Sequence, residues 1–410
     1  MRAADHQGKD IPLEALRGLA ALAVLVFHLL LSFRADLALQ GSWWHGAVNG
    51  HAAVLLFFVL SGFVLTRRAL ATGDGRILAR GALKRWPRLA APILLSVLFS
   101  WALLRLGAMH HVEAGTLAGS GWLRGFGDAQ PDGPVQPSLA QAVLQGGVFA
   151  LFRGEEVDRT YNTVLWTMRY EFLGSFIAFA MALALIQLRA ASLAVRLGLV
   201  ALVALTVRFA EVYYLTFVLG VGLALFVTAR RVRLPGAVAG AMVLLGLYLL
   251  GYREGSADHA WMEAIYRRTP SETYVHAAAA ALLILAIEGS ATLRARLSGA
   301  WAVLLGRLSF ALYLLHVPVL CSAGAAAYLA LGGGMAGALV ASGVTVVATF
   351  ALSVPLARFD VWWTRLVGRV AARIVPDPAP AARAPAPAVA EGGMGAGWAA
   401  APQPSERKTA

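Results

Sequence analysis

The sequence predicts an all-α fold, a polytopic membrane helix bundle of about ten transmembrane helices with both termini in the cytoplasm. Three observations support this. Of the 410 residues, 59% are hydrophobic and only 14% are charged, whereas soluble domains carry nearly one quarter charged residues. Apolar runs long enough to cross ~30 Å of hydrocarbon recur along the chain. Arginines concentrate in the short segments between alternate runs, which is the pattern of cytoplasmic loops.

The predicted spans share an apolar composition and a length near the ~20 residues that a bilayer requires. Segment 107–138 separates two of them and is expected to be a long outer loop. Segment 139–153 is apolar but short, which predicts a re-entrant or interfacial helix at the outer face. The ten spans lie near residues 11–33, 52–70, 89–106, 163–187, 193–209, 212–228, 236–252, 273–290, 300–320 and 336–357.

The two ends of the chain differ in composition. Residues 11–33 follow a short basic head, but the run exceeds the ~7–15 apolar residues of a signal peptide, so we expect a retained first span. Residues 375–410 are rich in Pro and Ala, which predicts a disordered cytoplasmic tail after a transmembrane domain over 1–374. Frequent Ala, Gly and Arg with little Lys indicate a GC-rich bacterial genome, and therefore the bacterial inner membrane.

Charge and cysteine usage exclude several classes of function. The net charge of +13 is spread over loops rather than gathered on one face, so no nucleic-acid partner is expected. Cys321 is the single cysteine, which excludes a disulfide within the chain and a cysteine-type zinc site. No metal and no permanently bound cofactor is predicted, and the bilayer is the expected surroundings.

The first span carries two polar residues on one face. Arg17 and His28 are eleven residues apart, which is about three helical turns and about 16 Å along the axis. A cation and an imidazole on one face suit a long donor molecule lying beside the helix. Alternatively, His28 is a structural histidine with a hydrogen-bonded neighbour, and Arg17 anchors the span and pairs with Glu14.

Two further motifs lie in the second and third spans. In FFVLSGF, Ser61 precedes a glycine that allows close helix packing, which by itself explains the pair. In LKRWPRLAAP, Arg85 and Arg88 share one face, and Pro87 predicts that a helix starts there. Two guanidiniums at a helix N-terminus form a phosphate site, although cytoplasmic anchoring is the better explanation for either arginine taken alone.

Polar groups also occur in the fourth and ninth spans. In YNTVLWTMRYEF, Asn162 begins the span, and Glu171 lies beyond Trp166 at hydrocarbon depth. A buried carboxylate must be paired, protonated or catalytic, so Glu171 is either a catalytic group or half of a structural ion pair with an arginine. In LGRLSFALYLLHVPVL, three polar residues fall on one helical face at i, i+4 and i+7: Ser309, Tyr313 and His316.

Together these five motifs, in this order over residues 11–320, resemble the acyltransferase-3 family of integral membrane acyltransferases. One departure is Asp360, which stands near the place of the family's Glu before a proline in the last span. The resemblance implies an acyl-CoA donor, usually acetyl-CoA, taken from the cytoplasm. It also implies a hydroxyl acceptor, usually on a surface glycan or a glycosylated metabolite.

The expected activity is therefore O-acetyl transfer. His28 is the expected base or nucleophile, because imidazole has a suitable pKa, and Glu171 is expected to orient it. Arg17, Arg85 and Arg88 are expected to bind the donor, with His28 and Glu171 lining one cavity. The candidate substrate-binding residues lie in the remaining motifs: Ser61, Asn162, Trp166, Ser309, Tyr313 and His316.

Two other classes of protein would have different sequence features. A proton-coupled transporter of a polar solute would use His28 and Glu171 as a proton relay. It predicts inverted repeats and interrupted helix pairs, and the sequence shows neither. A non-catalytic scaffold predicts few ionisable groups within spans, contrary to the pattern above.

Overall fold

A computed structural model describes residues 10–33, 47–127, 138–153, 160–266 and 271–376 of the chain. Every regular element in these ranges is helical, which confirms the predicted polytopic helix bundle. The described residues up to Val375 form one compact unit. The predicted tail falls almost wholly outside the described residues, so its boundary stays a prediction.

Nine helices are long and apolar enough to cross a membrane within the described ranges, and six shorter ones connect them. In chain order the fifteen are α1 Ile11–Ser32, α2 Gly50–Thr72, α3 Gly75–Arg105, α4 His111–Ala118, α5 Gly121–Arg124, α6 Leu139–Phe152, α7 Thr163–Gln187, α8 Leu193–Ala210, α9 Val212–Ala229, α10 Gly236–Leu250, α11 Ala260–Tyr266, α12 Glu272–Gly289, α13 Ala291–Arg296, α14 Ala300–Ala330 and α15 Gly334–Ile374.

Helix ends follow local side-chain chemistry where α2 meets α3. The Asn49 side chain accepts a hydrogen bond from the Ala52 N–H at 3.1 Å, which caps the start of α2. Gly73 ends α2 with a φ of 71°, a left-handed conformation that glycine adopts without strain. Asp74 then caps α3 by accepting from the Arg76 N–H at 2.9 Å. These caps produce a tight turn between two long antiparallel helices.

Two helices extend beyond the predicted spans. α3 begins at Gly75 rather than near residue 89, and Pro87 and Pro92 both lie inside it, so the predicted helix start at Pro87 is wrong. α15 continues to Ile374 instead of ending near 357. At 1.5 Å per residue the two helices are about 46 and 62 Å long, well over the ~30 Å of hydrocarbon. Arginine is a good helix former, so both helices continue past their apolar parts.

Three segments differ from expectation in detail. The predicted span at 236–252 forms α10, whose 15 residues measure about 22 Å. The predicted outer loop at 107–138 contains α4 and α5. Segment 139–153 forms α6, as a short helix with one π-helical turn at Gln145–Phe149. We call the end of the bundle that carries α4 to α6 the loop end.

Small residues bring the functional helices together. α1 packs along α14, where a Cβ on Gly18 would lie 2.7 Å from Leu305 and one on Gly306 would lie 2.8 Å from the Glu14 Cβ. α2 packs on α9 even more closely, because a Cβ on Gly62 would lie 2.2 Å from the carbonyl oxygen of Phe217. The close approach predicted for the second span is therefore present.

A network of four charged residues holds the opposite end of the bundle, which we call the ion-pair end. Arg67 of α2 contacts Asp10 and Glu288, each at 2.9 Å. Arg294 contacts the same two carboxylates at 3.0 and 2.9 Å. Each charge meets two opposite charges, and Glu288 is almost fully buried. The network ties the start of α1 to the ends of α2 and α12.

Candidate active site

Two histidines meet between α1 and α14. Nδ1 of His28 lies 2.8 Å from Nε2 of His316, and the two rings are nearly parallel with their centroids 5.0 Å apart. His316 is buried, whereas His28 is partly accessible. His28 stands four residues before the end of α1, about 6 Å from the loop end. The sequence patterns predicted that both residues lie on functional helix faces. They did not predict that the two side chains touch.

The surrounding carbonyls fix the tautomers of this pair. Nδ1 of His316 lies 2.8 Å from the Tyr313 carbonyl oxygen and 3.1 Å from that of Leu312. Carbonyl oxygens only accept, so Nδ1 of neutral His316 carries its proton and Nε2 carries a lone pair. His28 therefore donates its Nδ1–H to His316. The remaining nitrogen, His28 Nε2, holds a lone pair and has no hydrogen-bond partner among the described residues.

The loop end covers this pair with an indole ring. Trp122 of α5 stacks on His28, with ring centroids 4.8 Å apart and planes 15° from parallel. Ser120 fixes α5 in place by donating to the Leu31 carbonyl oxygen at 3.1 Å. The His110 N–H also binds the Cys321 carbonyl oxygen at 2.9 Å. Part of the segment predicted as a loop therefore places an indole ring against His28.

A proline explains the position of Asn162. Pro318 has no N–H, so the Leu314 carbonyl oxygen, four residues earlier, has no partner within α14. Asn162 supplies one, because its Nδ2 donates to that oxygen at 2.7 Å. Asn162 is fully buried, and its Oδ1 has no protein partner. Its observed contact is thus structural: it holds the turn of α14 that carries His316.

Polar contacts continue from the histidines toward the middle of the bundle. The Tyr313 ring lies 6.0 Å from the His316 ring, measured between centroids. Its hydroxyl contacts Oγ1 of Thr167 at 2.7 Å and donates to the Val164 carbonyl oxygen at 3.0 Å. The Glu171 carboxylate, one turn further along α7, lies within electrostatic range of that hydroxyl.

Glu171 is held by an arginine and a serine rather than by His28. Nη2 of Arg85 forms an ion pair with Oε1 of Glu171 and donates to the Glu171 backbone carbonyl at 3.1 Å. Ser61 Oγ donates to the same carboxylate oxygen at 2.8 Å. The expected orienting contact from Glu171 to His28 is not formed; His316 occupies that position. The alternative of a Glu171–arginine ion pair describes the observed geometry, and the arginine is Arg85.

The three arginines expected to bind the donor differ in their surroundings. Arg85 is buried at 5% exposure inside α3, not at a helix start. Arg17 pairs with Glu14 at 2.7 Å, as the structural alternative predicted. Arg88 is partly accessible and has no hydrogen-bond or ion-pair partner among the described residues. Both Arg17 and Arg88 lie within electrostatic range of Arg85, so the three cations form one group.

The remaining candidates lie apart from the histidine pair. Ser309 is buried and donates to the Gly306 carbonyl oxygen of its own helix at 2.9 Å, so its observed bond is local. Trp166 packs on tyrosines of α7 and α9 instead. A surface groove of about 520 Å³ lies elsewhere, where Leu193 of α8 faces Arg230 after α9. Its lining contains neither His28 nor Glu171, so it is not the cavity expected from the sequence.

Polar side chains therefore form a continuous series through the bundle, which we call the polar column. It runs from the two histidines, which Trp122 covers at the loop end, to the arginine group. Neither Trp122 nor Thr167 was predicted from the sequence. Trp122 lay in a presumed loop, and Thr167 lay in a quoted motif without a suspected partner. The column consists of His28, His316, Tyr313, Thr167, Glu171, Ser61, Arg85, Arg17 and Arg88.

Fold and site together define a multi-pass membrane protein whose interior holds paired histidines and a group of arginines. A family model described as an acyltransferase domain matches residues 11–358, from the first residue of α1 into α15. The chain thus belongs to the acyltransferase-3 family and is a membrane acyltransferase, which confirms the resemblance seen in its motifs. Searches of curated proteins and of solved structures gave no match.

Proposed function

We propose that the protein is a membrane-bound O-acetyltransferase of the bacterial inner membrane. It transfers an acetyl group from cytoplasmic acetyl-CoA to a hydroxyl of a carbohydrate or glycosylated acceptor. The observation that carries this proposal is the lone pair on His28 Nε2, which the bond from His28 to His316 leaves available. A neutral imidazole nitrogen with a lone pair, oriented through its other nitrogen, has the arrangement of a general base.

The reaction follows from this tautomer. His28 Nε2 takes the proton of the acceptor hydroxyl as its oxygen attacks the thioester carbonyl carbon. The tetrahedral intermediate collapses, the carbon–sulfur bond breaks, and the proton on His28 passes to the departing CoA thiolate. While His28 is protonated, its Nδ1–H bond to His316 is charge-assisted and therefore stronger. His316 thus stabilises the charged form that exists only during the reaction.

The arginine group supplies a site for the donor. Arg88 lies in α3 with no partner in the described part of the chain, and Arg85 keeps its charge beside it through Glu171. Guanidinium groups bind phosphate oxygens through pairs of N–H donors. The positive-inside pattern supports a position of this group toward the cytoplasm, where CoA is present. The acyl end of the donor then lies along the polar column toward His28.

Acetyl transfer from labelled acetyl-CoA tests the proposal in membranes containing the full-length protein. His28→Ala removes the base, so transfer falls by about 10²- to 10⁴-fold. Arg88→Ala removes one charged hydrogen-bonding group, worth about 1.5–3 kcal/mol, so KM for acetyl-CoA rises about 10- to 150-fold. Arg68→Ala is the matched control, because Arg68 is exposed near the end of α2. Wild-type transfer by correctly inserted His28→Ala protein would remove the base from the mechanism.

A further inference from the structure

A cluster of aromatic rings lies beside the polar column near the loop end, where α2, α7 and α9 meet. Trp166 packs against Tyr170 and Tyr213, with ring centroids 6.0 and 5.8 Å apart. Tyr170 contacts Tyr213 at 4.8 Å and Tyr214 at 5.7 Å. Tyr170 is buried, but Trp166, Tyr213 and Tyr214 are each partly accessible. The cluster therefore packs against the core through Tyr170 while its other three rings stay partly accessible.

Arg169 adds an unpaired charge to this cluster. Its Nε is buried and has no hydrogen-bond partner. No carboxylate in the described part of the chain forms an ion pair with its guanidinium. The Tyr214 hydroxyl lies within electrostatic range of Arg169, and Glu211 lies within electrostatic range of the same hydroxyl. Neither Tyr214 nor Glu211 forms a hydrogen bond with Arg169. Arg169 stands six residues inside α7, about 9 Å from the helix start.

An arginine at this depth is costly without a partner. Insertion of a charged residue into the hydrocarbon region costs about 2.5–3.5 kcal/mol even on the lenient scale. Buried ionic groups therefore pair with an opposite charge or line a polar cavity. The arginines of the polar column have either a carboxylate partner or a place in the proposed donor group. Among the described residues, Arg169 has only the Tyr214 hydroxyl within electrostatic range, which points to an anion from outside the chain as its partner.

We propose that this cluster is an acceptor subsite for an acidic saccharide, in which Arg169 binds the anionic group. The inference rests on the proposed function and specifies the class of acceptor. Aromatic rings pack against the apolar faces of sugar rings while their polar edges bind hydroxyls. Arginine binds a planar carboxylate through two parallel N–H bonds, and a phosphate in the same way. The shared chemistry is thus an oxyanion carried on a sugar.

The position of the cluster suits an acceptor that is about to react. Trp166 is adjacent in the chain to Thr167, whose hydroxyl contacts Tyr313 of the polar column. Tyr313 in turn lies one turn from His316, the partner of His28. A saccharide bound on the rings of α7 and α9 therefore lies beside the series of groups that leads to the proposed base.

Binding to the purified full-length protein tests the subsite with three probes. Hyaluronan tetrasaccharide carries glucuronate carboxylates, chitotetraose is a neutral saccharide of the same length, and glucose 6-phosphate carries a phosphate. Tryptophan fluorescence or thermophoresis at low salt measures each Kd. We expect the carboxylate probe to bind at least tenfold more tightly than the neutral one. Arg169→Gln should abolish that preference while leaving neutral binding unchanged, and Arg169→Lys should retain part of it. Tighter binding of glucose 6-phosphate would assign the anion as phosphate.

Equal affinity of the wild-type protein for the acidic and neutral tetrasaccharides, with no gain for the phosphate probe, would overturn the subsite. So would an unchanged acidic preference in Arg169→Gln, or no binding of any of the three probes. Arg208→Gln is the matched control, because Arg208 of α8 is exposed and stacks on Phe209. Acetyl-CoA binding by the wild-type protein separates the two proposals: absence of the acidic preference in wild-type protein that still binds the donor removes the subsite alone. Lost donor binding with intact saccharide preference removes the donor chemistry alone.

Discussion

Replacing His316 tests whether the histidine pair works as a unit. His316 accepts the Nδ1–H of His28 at 2.8 Å, and this bond is stronger when His28 is protonated. A hydrogen bond to a charged group contributes about 1.5–3 kcal/mol. At about 1.36 kcal/mol per factor of ten, His316→Ala should lower kcat about 10- to 150-fold. KM for acetyl-CoA should change little, because His316 lies away from the arginine group.

Three variants distinguish this positioning role from a structural one. The double variant His28→Ala/His316→Ala should be no slower than His28→Ala alone, because His316 acts through His28. His316→Gln should recover part of the activity, since its amide oxygen can accept the same hydrogen bond. His259→Ala is the matched control: His259 is also buried, at 1% exposure, and its Nε2 bonds to the Tyr248 carbonyl oxygen at 3.1 Å.

The assay is labelled acetyl transfer at saturating donor, with protein amount and insertion checked for each variant. A kcat within twofold of wild type in His316→Ala would refute the pairing argument. The pairing argument would also be refuted if the losses of the two single variants multiplied in the double variant, because the two histidines would then act independently of each other.

Further predictions concern stability. Gly62→Ala should lower the free energy of unfolding by about 1–3 kcal/mol, because the added Cβ would lie 2.2 Å from a backbone oxygen of α9; Gly198→Ala, with open space around it, is the control in thermal unfolding. Glu171→Gln should cost about 3–5 kcal/mol by leaving its buried arginine partner without an anion, and an unchanged melting temperature would contradict this. His111 is a buried histidine whose pKa is lowered to about 4, first by burial. It stays neutral in the folded protein but takes up a proton below about pH 6.5 when unfolded. About 3 kcal/mol of stability, present above pH 6.5, should therefore be lost between pH 6.5 and 4, and His111→Phe should flatten that part of the unfolding curve.

The bundle itself could be predicted from the sequence because apolar length is a one-dimensional property. Nine of the ten predicted segments form helices long enough to span. The helix starts were harder to predict. Pro87 and Pro92 lie inside α3. A membrane helix can contain proline because groups on neighbouring helices can bind the carbonyl oxygen that the proline leaves without a hydrogen bond. Pro318 is an example. Asn162, which directly precedes α7, donates to the Leu314 carbonyl oxygen that Pro318 leaves without a hydrogen bond.

Partner choice could not be predicted, because it depends on which helices pack together. His28 and His316 are 288 positions apart, and Arg85 and Glu171 are 86 apart. Each pair belongs to spans whose adjacency is set by small residues such as Gly18, which lets α1 approach α14. The sequence therefore indicated which polar residues lie inside the bundle but assigned Glu171 to the wrong neighbour.

The hydrogen bonding of the polar column agrees with the proposal that its two ends are the reactive points. Interior groups such as Tyr313 and Glu171 already have partners. Recruiting either for proton transfer would break such a bond and leave a buried group unsatisfied, at about 1–3 kcal/mol. His28 Nε2 and the Arg88 guanidinium have no such bond within the described residues. In the proposed mechanism, the donor phosphates and the acceptor proton therefore meet the column at opposite ends. The proposed thioester then lies along the column, and acyl transfer runs from the arginine group toward His28.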